Sequence, residues 1–76
     1  MKRYKVLKRI LLGFMDPRDQ YDAFFLPSHV SYLETDGNTI YVNTTSNNRL
    51  ESITTPNIIE YWLEDGTIEE FDEGQI

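Results

Sequence analysis

From residue 60 to its C-terminus the chain carries Glu60, Glu64, Asp65, Glu69, Glu70, Asp72 and Glu73, and no basic residue. Trp62 and Phe71 are interleaved with them. Carboxylates at strand spacing can imitate a row of phosphates, while aromatic rings supply desolvated anchors that charge alone cannot. The chemistry this suggests is binding: an acidic–aromatic surface that docks on a basic partner. Reading the flanking segments as strands adds Tyr32, Glu34 and Tyr41, so the candidate partner-binding set is Tyr32, Glu34, Tyr41, Glu60, Trp62, Glu64, Glu69 and Glu70. The plainer role for the same carboxylates is a charged exterior that keeps the chain dissolved and guards a sheet edge.

The opposite charge is gathered at the other end. Lys2, Arg3, Lys5, Lys8 and Arg9 lie within the first nine residues, leaving Arg18 and Arg49 against all thirteen carboxylates. The net charge of −6 therefore conceals a basic arm attached to an acidic body. Those five cations could hold nucleic acid phosphates, which is the alternative reading. The acidic body would repel a polyanion and confine any such contact to the arm.

Catalytic chemistry finds little material. With no cysteine, thiolate nucleophiles, disulfides and thiolate metal sites are all excluded. His29 is the single histidine, set beside Pro27-Ser28 without the context of a base or triad. The glycines are isolated at 13, 37, 66 and 74, so no phosphate-cradling loop is present. Asp16, Asp19 and Asp22 do not follow the ligand spacing of a calcium loop. The expectation is a protein that is not an enzyme and needs neither metal nor cofactor.

Seventy-six residues are expected to make a single domain, 1–76, near the size at which one core can still sustain a fold. Ten aromatic residues help to fill it. No stretch is long enough for a membrane span and "ILLGFM" (10–15) lacks a cleavage site, so a cytoplasmic location without a membrane partner is expected. Self-association is compatible with this composition.

Three parts must position the candidate residues. Residues 2–14 form a basic amphipathic element whose pattern fits two periods. Tyr4, Leu7, Ile10, Leu11 and Phe14 recur at helical spacing, which slightly favours a helix ending near Gly13. Tyr4, Val6, Ile10 and Leu12 alternate as in a strand, interrupted by Lys8. "MDPRDQYD" (15–22) reads as a loop, and "AFFL" (23–26) as a short edge strand before Pro27. Residues 23–72 read as a β-meander, with 73–76 as a frayed acidic tail.

The turns of that meander are Asp36-Gly37, Ser46–Asn48, Thr55-Pro56 and Asp65-Gly66. Read as two-residue type I′ turns, the Asp-Gly pairs set Leu33 opposite Ile40 and Tyr32 opposite Tyr41. They likewise set Leu63 opposite Ile68, Trp62 opposite Glu69 and Glu60 opposite Phe71. The expected class is mainly β (α+β): an N-terminal helix or strand, then a five-stranded antiparallel meander that could close as a small SH3-like or Sm-like barrel.

Two resemblances bear on this. "VSYLETDGNTIYVNTT" (30–45) resembles the strand–turn–strand segment of LytTR-type DNA-binding domains. The basic DNA-contacting loops of that family have no counterpart here, so its activity is not carried over. As a small acidic cysteine-free chain, the protein is also similar in type to phage-encoded inhibitors that mimic nucleic acid. The acidic–aromatic surface and this similarity of type lead to the expected function, a small acidic non-catalytic protein-binding module of the inhibitor type, docking on a basic nucleic-acid-handling protein. The alternatives are a small barrel that binds nucleic acid through Lys2, Arg3, Lys5, Lys8 and Arg9, or a structural subunit of an assembly.

Overall fold

The structure, a computed structural model, describes residues 1–71. The expected tail at 73–76 and the last residue of the expected meander lie outside them. The chain runs β1 (Lys2–Val6), β2 (Ile10–Asp16), β3 (Asp19–Phe25), a 3-10 turn (Pro27–His29), β4 (Val30–Thr35), β5 (Ile40–Thr44), β6 (Arg49–Ser52), α1 (Ile58–Glu64) and β7 (Ile68–Glu70). Five strands form an antiparallel sheet in the order β6-β5-β4-β1-β7, and β2 pairs with β3 in a separate hairpin.

The N-terminal element is strand, not helix. Tyr4, Val6, Ile10, Leu12 and Phe14 are all buried, whereas Lys5 and Leu11 between them are exposed, so period two prevails. Lys8, which seemed to break the alternation, lies in the turn between β1 and β2, where Leu7 and Lys8 N–H both donate to the Thr67 carbonyl. Helical spacing was equally present in the sequence. The strand wins because β1 sits between β4 and β7, and its backbone groups are satisfied by partners more than twenty-five residues away.

Residues 15–22 are not a loop either. They form the outer half of the β2–β3 hairpin, with Asp16 opposite Asp19 and only Pro17-Arg18 left to turn. Charged side chains are tolerated because residues 15–22 are all exposed. Phe14 stacks on Tyr21 at 5.7 Å and meets Phe25 edge-on at 5.9 Å.

The first Asp-Gly does join two strands, through a wider turn than expected. Thr35 opposes Ile40, so Leu33 faces Val42 and Tyr32 faces Asn43. Asp36 Oδ1 accepts from the Asn38 and Thr39 N–H groups at 2.8 and 3.0 Å, and Gly37 takes φ +96°. The shift from the expected register is two residues, which leaves Tyr32, Leu33, Ile40, Tyr41 and Val42 on their expected faces. A further irregularity between Val30 and Tyr32 lets both Val30 and Leu33 enter the core despite their odd spacing.

The second Asp-Gly ends a helix and makes no hairpin. Ile59 and Trp62, three apart, are buried, and Ile58 packs partly beside them. Gly66 at φ +79° follows the last turn, and Thr67 N–H donates to the Trp62 carbonyl at 2.8 Å. Such a six-to-one bond around a left-handed glycine closes a helix by satisfying a terminal carbonyl. The expected pairings of Leu63 with Ile68, Trp62 with Glu69 and Glu60 with Phe71 are therefore absent. The meander is limited to β4, β5 and β6, and the five-stranded sheet is completed by the two ends of the chain.

One core gathers the inner faces of both sheets and of α1, with Leu12, Leu33, Ile40, Val42 and Ile68 almost fully enclosed. At Gly13 the hairpin is joined to the large sheet. Ile53 N–H donates to the Gly13 carbonyl at 2.9 Å, and Gly13 N–H donates to Thr54 Oγ1 at 2.8 Å.

Candidate functional site

The eight residues expected to bind a partner are divided among three environments. Trp62 is 9% exposed and belongs to the core, so it is a packing residue and not a surface anchor. Its helix neighbours Glu60, Tyr61, Leu63 and Glu64 are exposed, Tyr61 to 67%. The helix packs against β7, where Glu69 and Glu70 are exposed on alternate sides of a three-residue edge strand. Four of the expected carboxylates thus remain exposed on two elements in contact at one edge of the sheet, and Tyr61 is exposed on the helix.

The end of that helix is tied down by charge. Asp65 Oδ1 accepts from the backbone N–H and hydroxyl of Thr67, and Lys8 Nζ donates to the Asp65 carbonyl at 3.2 Å. Those Thr67 bonds, supported by the Lys8 charge, hold the Asp65 carboxyl below its usual range. Behind the edge, Glu70 lies opposite Tyr4 in the ladder. Burial, with the Glu70 charge added, raises the Tyr4 phenol above its ordinary pKa.

Tyr32, Glu34 and Tyr41 lie on the outer face of the large sheet, but Glu34 is not an accessible carboxylate. It is 3% exposed. Its oxygens accept from Asn43 Nδ2 at 2.9 Å and Arg3 Nε at 3.4 Å, and Arg49 Nη1 lies 3.3 Å away. Arg3 sits over the Tyr32 ring at 5.0 Å and Arg49 over the Tyr41 ring at 4.3 Å, while Phe71 extends the row beside Tyr32 at 6.2 Å. Two arginines on two tyrosines therefore neutralise a central glutamate. Sequence reasoning missed this network because Arg3 reaches Glu34 only when β1 is a strand beside β4. The alternation of Arg3 and Lys5 with Tyr4 and Val6 was the available signal.

The basic arm is likewise dispersed. Lys2 lies opposite Thr35 at one end of the sheet, Arg3 on Glu34, Lys5 opposite Glu69, Lys8 on the helix end and Arg9 over the Phe24 ring at 4.6 Å. The five cations of the alternative nucleic-acid set are thus spread along β1 and the turn that follows it. Among the described residues no group of three or more His, Cys, Asp or Glu side chains could hold a metal ion. Nor is any helix among them long and apolar enough to cross a membrane. No protein-family model, curated protein or solved structure matches this chain.

Proposed function

We propose that the chain is a non-catalytic protein-binding module whose acidic edge, formed by α1 and β7, docks on a basic surface of a nucleic-acid-handling protein. One observation carries this reading: Glu60, Glu64, Glu69 and Glu70 are all exposed on α1 and β7, two elements in contact, and Tyr61 is exposed on the same helix. Glu60 and Glu64 are one helical turn apart and share a face. Tyr61 takes the anchoring role that the sequence suggested for Trp62. A rigid ring among charges matches the composition of interface hot spots. In an inhibitor, such an edge would occupy a groove that otherwise receives phosphates, acting in the cytoplasm where such proteins work.

The same proposal includes a partly closed, SH3-like or Sm-like curl of the sheet. Its support is the sheet order with the helix placed before the last strand, together with the Gly13 bonds that join β2 to the chain just after β6.

The partner is to be captured from native-host extract with the tagged full chain and identified by mass spectrometry. Reversing Glu60 and Glu64 to Lys should leave melting unchanged and weaken capture chiefly through slower association, because complementary charge acts by steering the encounter. Tyr61→Ala should speed dissociation. A basic partner that binds both variants like the parent would leave the carboxylates a solubilising role only.

A further inference from the structure

The sheet edge opposite β7 holds a recess of about 190 Å³ with a different chemistry. Tyr32 of β4, Asn43 and Thr44 of β5, Asn47 and Asn48 of the following turn, and Arg49 of β6 form most of its wall. No carboxylate lines it, although the whole chain carries −6. Glu34, the nearest acid in the network, is enclosed and already bound to Asn43 and the two arginines. The charge this recess offers a ligand is the half-exposed guanidinium of Arg49.

The backbone of the turn is self-sufficient. Asn47 N–H donates to the Thr44 carbonyl at 3.1 Å, Asn48 N–H to Thr44 Oγ1 at 3.1 Å, and Thr44 N–H to the Asn48 carbonyl at 2.8 Å. Asn47 is held at φ +67°, a conformation asparagine tolerates better than most residues. These bonds leave the side-chain amides of Asn47 and Asn48 with their donors and acceptors unspent. Asn43 gives one amide hydrogen to Glu34 and keeps its carbonyl oxygen.

A ring, a planar guanidinium and three amides, in a space below the ~300 Å³ of drug-sized pockets, fit a small flat ligand with mixed hydrogen-bonding edges. Unstacked nucleobases have that shape and those edges, and they settle on tyrosine rings or arginine planes. A neutral sugar could accept from the guanidinium N–H groups but would bring no charge to pair with it. We propose that this recess binds one nucleotide, its base against the Tyr32 and Arg49 planes, its edge read by Asn47 and Asn48, and its phosphate toward Arg49. The nucleotide is either free or one residue of a single strand. The site is distinct from the acidic edge: it lies on β4, β5 and β6, with β1 between it and β7.

Nitrogen-15-labelled full-length protein is titrated with uridine and adenosine monophosphates, with ribose 5-phosphate, and with six-residue single strands of U and of A. Shifts confined to residues 31–32 and 43–49 are expected with either nucleotide source, and none of comparable size with ribose 5-phosphate. Saturation by monophosphates identifies a free nucleotide as the ligand, and shifts with oligomers alone identify a strand. Combining Asn47→Gly, which suits the positive φ, with Asn48→Ala should weaken binding about fivefold or more, near the low end for losing one base contact. The melting temperature should hold, and Arg49→Lys should weaken binding while keeping the charge. For a strand, the logarithmic salt dependence should have a slope of about 0.7–1.4 in magnitude, as for one or two phosphates, and not the ~3.5 of a five-cation arm. Absence of shifts at millimolar ligand, equal shifts with ribose 5-phosphate, or loss of binding on altering Lys2, Lys5 and Lys8 but not the asparagines overturns the proposal.

Discussion

Glu34 shows how one residue can stabilise a surface without being available to a partner. Removing it sets two guanidinium groups against each other across a site that is closed to water on the carboxylate side. Glu34→Ala should therefore cost about 2 kcal/mol in urea unfolding, within the range for hydrogen bonds to charged groups. Glu34→Gln, which retains the Asn43 contact, should cost less. Two other carboxylates respond to acid. The Asn38 and Thr39 N–H groups lower the Asp36 pKa, and Thr67 lowers that of Asp65. Each carboxylate is held more tightly in the folded state. Its contribution is present above the unfolded value of about 3.9 and is lost as pH falls through the lower folded value. A carboxyl-carbon NMR titration should show both midpoints below those of the same residues in unfolded peptides. Tyr4 behaves in the opposite sense: its raised pKa favours the neutral phenol, so stability should decline only as pH climbs past about 10.

At the scale of elements, α1 separates packing from display within consecutive residues. Trp62→Ala should open a cavity and cost about 3–5 kcal/mol, whereas Tyr61→Ala should stay within about 0.5 kcal/mol of the parent. Equal losses would place both rings in the core and remove the anchor from the acidic edge. The two Asp-Gly pairs serve different elements but share a backbone requirement. Gly37 and Gly66 have positive φ and open space where a Cβ would stand. Gly37→Val and Gly66→Val should each cost about 1–3 kcal/mol from backbone strain alone, measured by thermal melting. Circular dichroism should add a loss of helical signal for Gly66→Val only, because that glycine terminates α1.

For the molecule as a whole, the order β6-β5-β4-β1-β7 places the first strand next to the last, so the sheet is complete only when both ends of the chain have arrived. Amide exchange should be slowest in β1, β4 and β5, which are paired on both sides, and faster in β3, whose one ladder is with β2. Rapid exchange throughout β1 would contradict its central place. The same topology distributes charge: the basic arm is spread along β1 and its turn, while the exposed carboxylates of α1 and β7 stay on one edge. Electrostatic binding should follow this division, with the acidic edge meeting a basic protein and no long cationic track for a duplex.

The mainly β character, the outward faces of β4 and β5, the turn at Ser46–Asn48 and the clustering of acid at 60–70 were legible in the sequence. Each depends on neighbours a few residues apart: an alternation, a turn residue or a run of charge. Even the wrong register at Asp36-Gly37 kept the faces right, because a shift of two leaves a period of two intact. Tertiary structure decided the rest. Residues 2–14 and 57–64 each fit both helical and strand periods. The choice fell to distant partners: β4 and β7 for the first, and for the second a core that Ile59 and Trp62 could enter together only from a helix. The Arg3–Glu34–Arg49 network and the recess beside it depend on those same long-range pairings. Local sequence specifies which conformations a segment can adopt, and burial and backbone pairing across the chain select one of them.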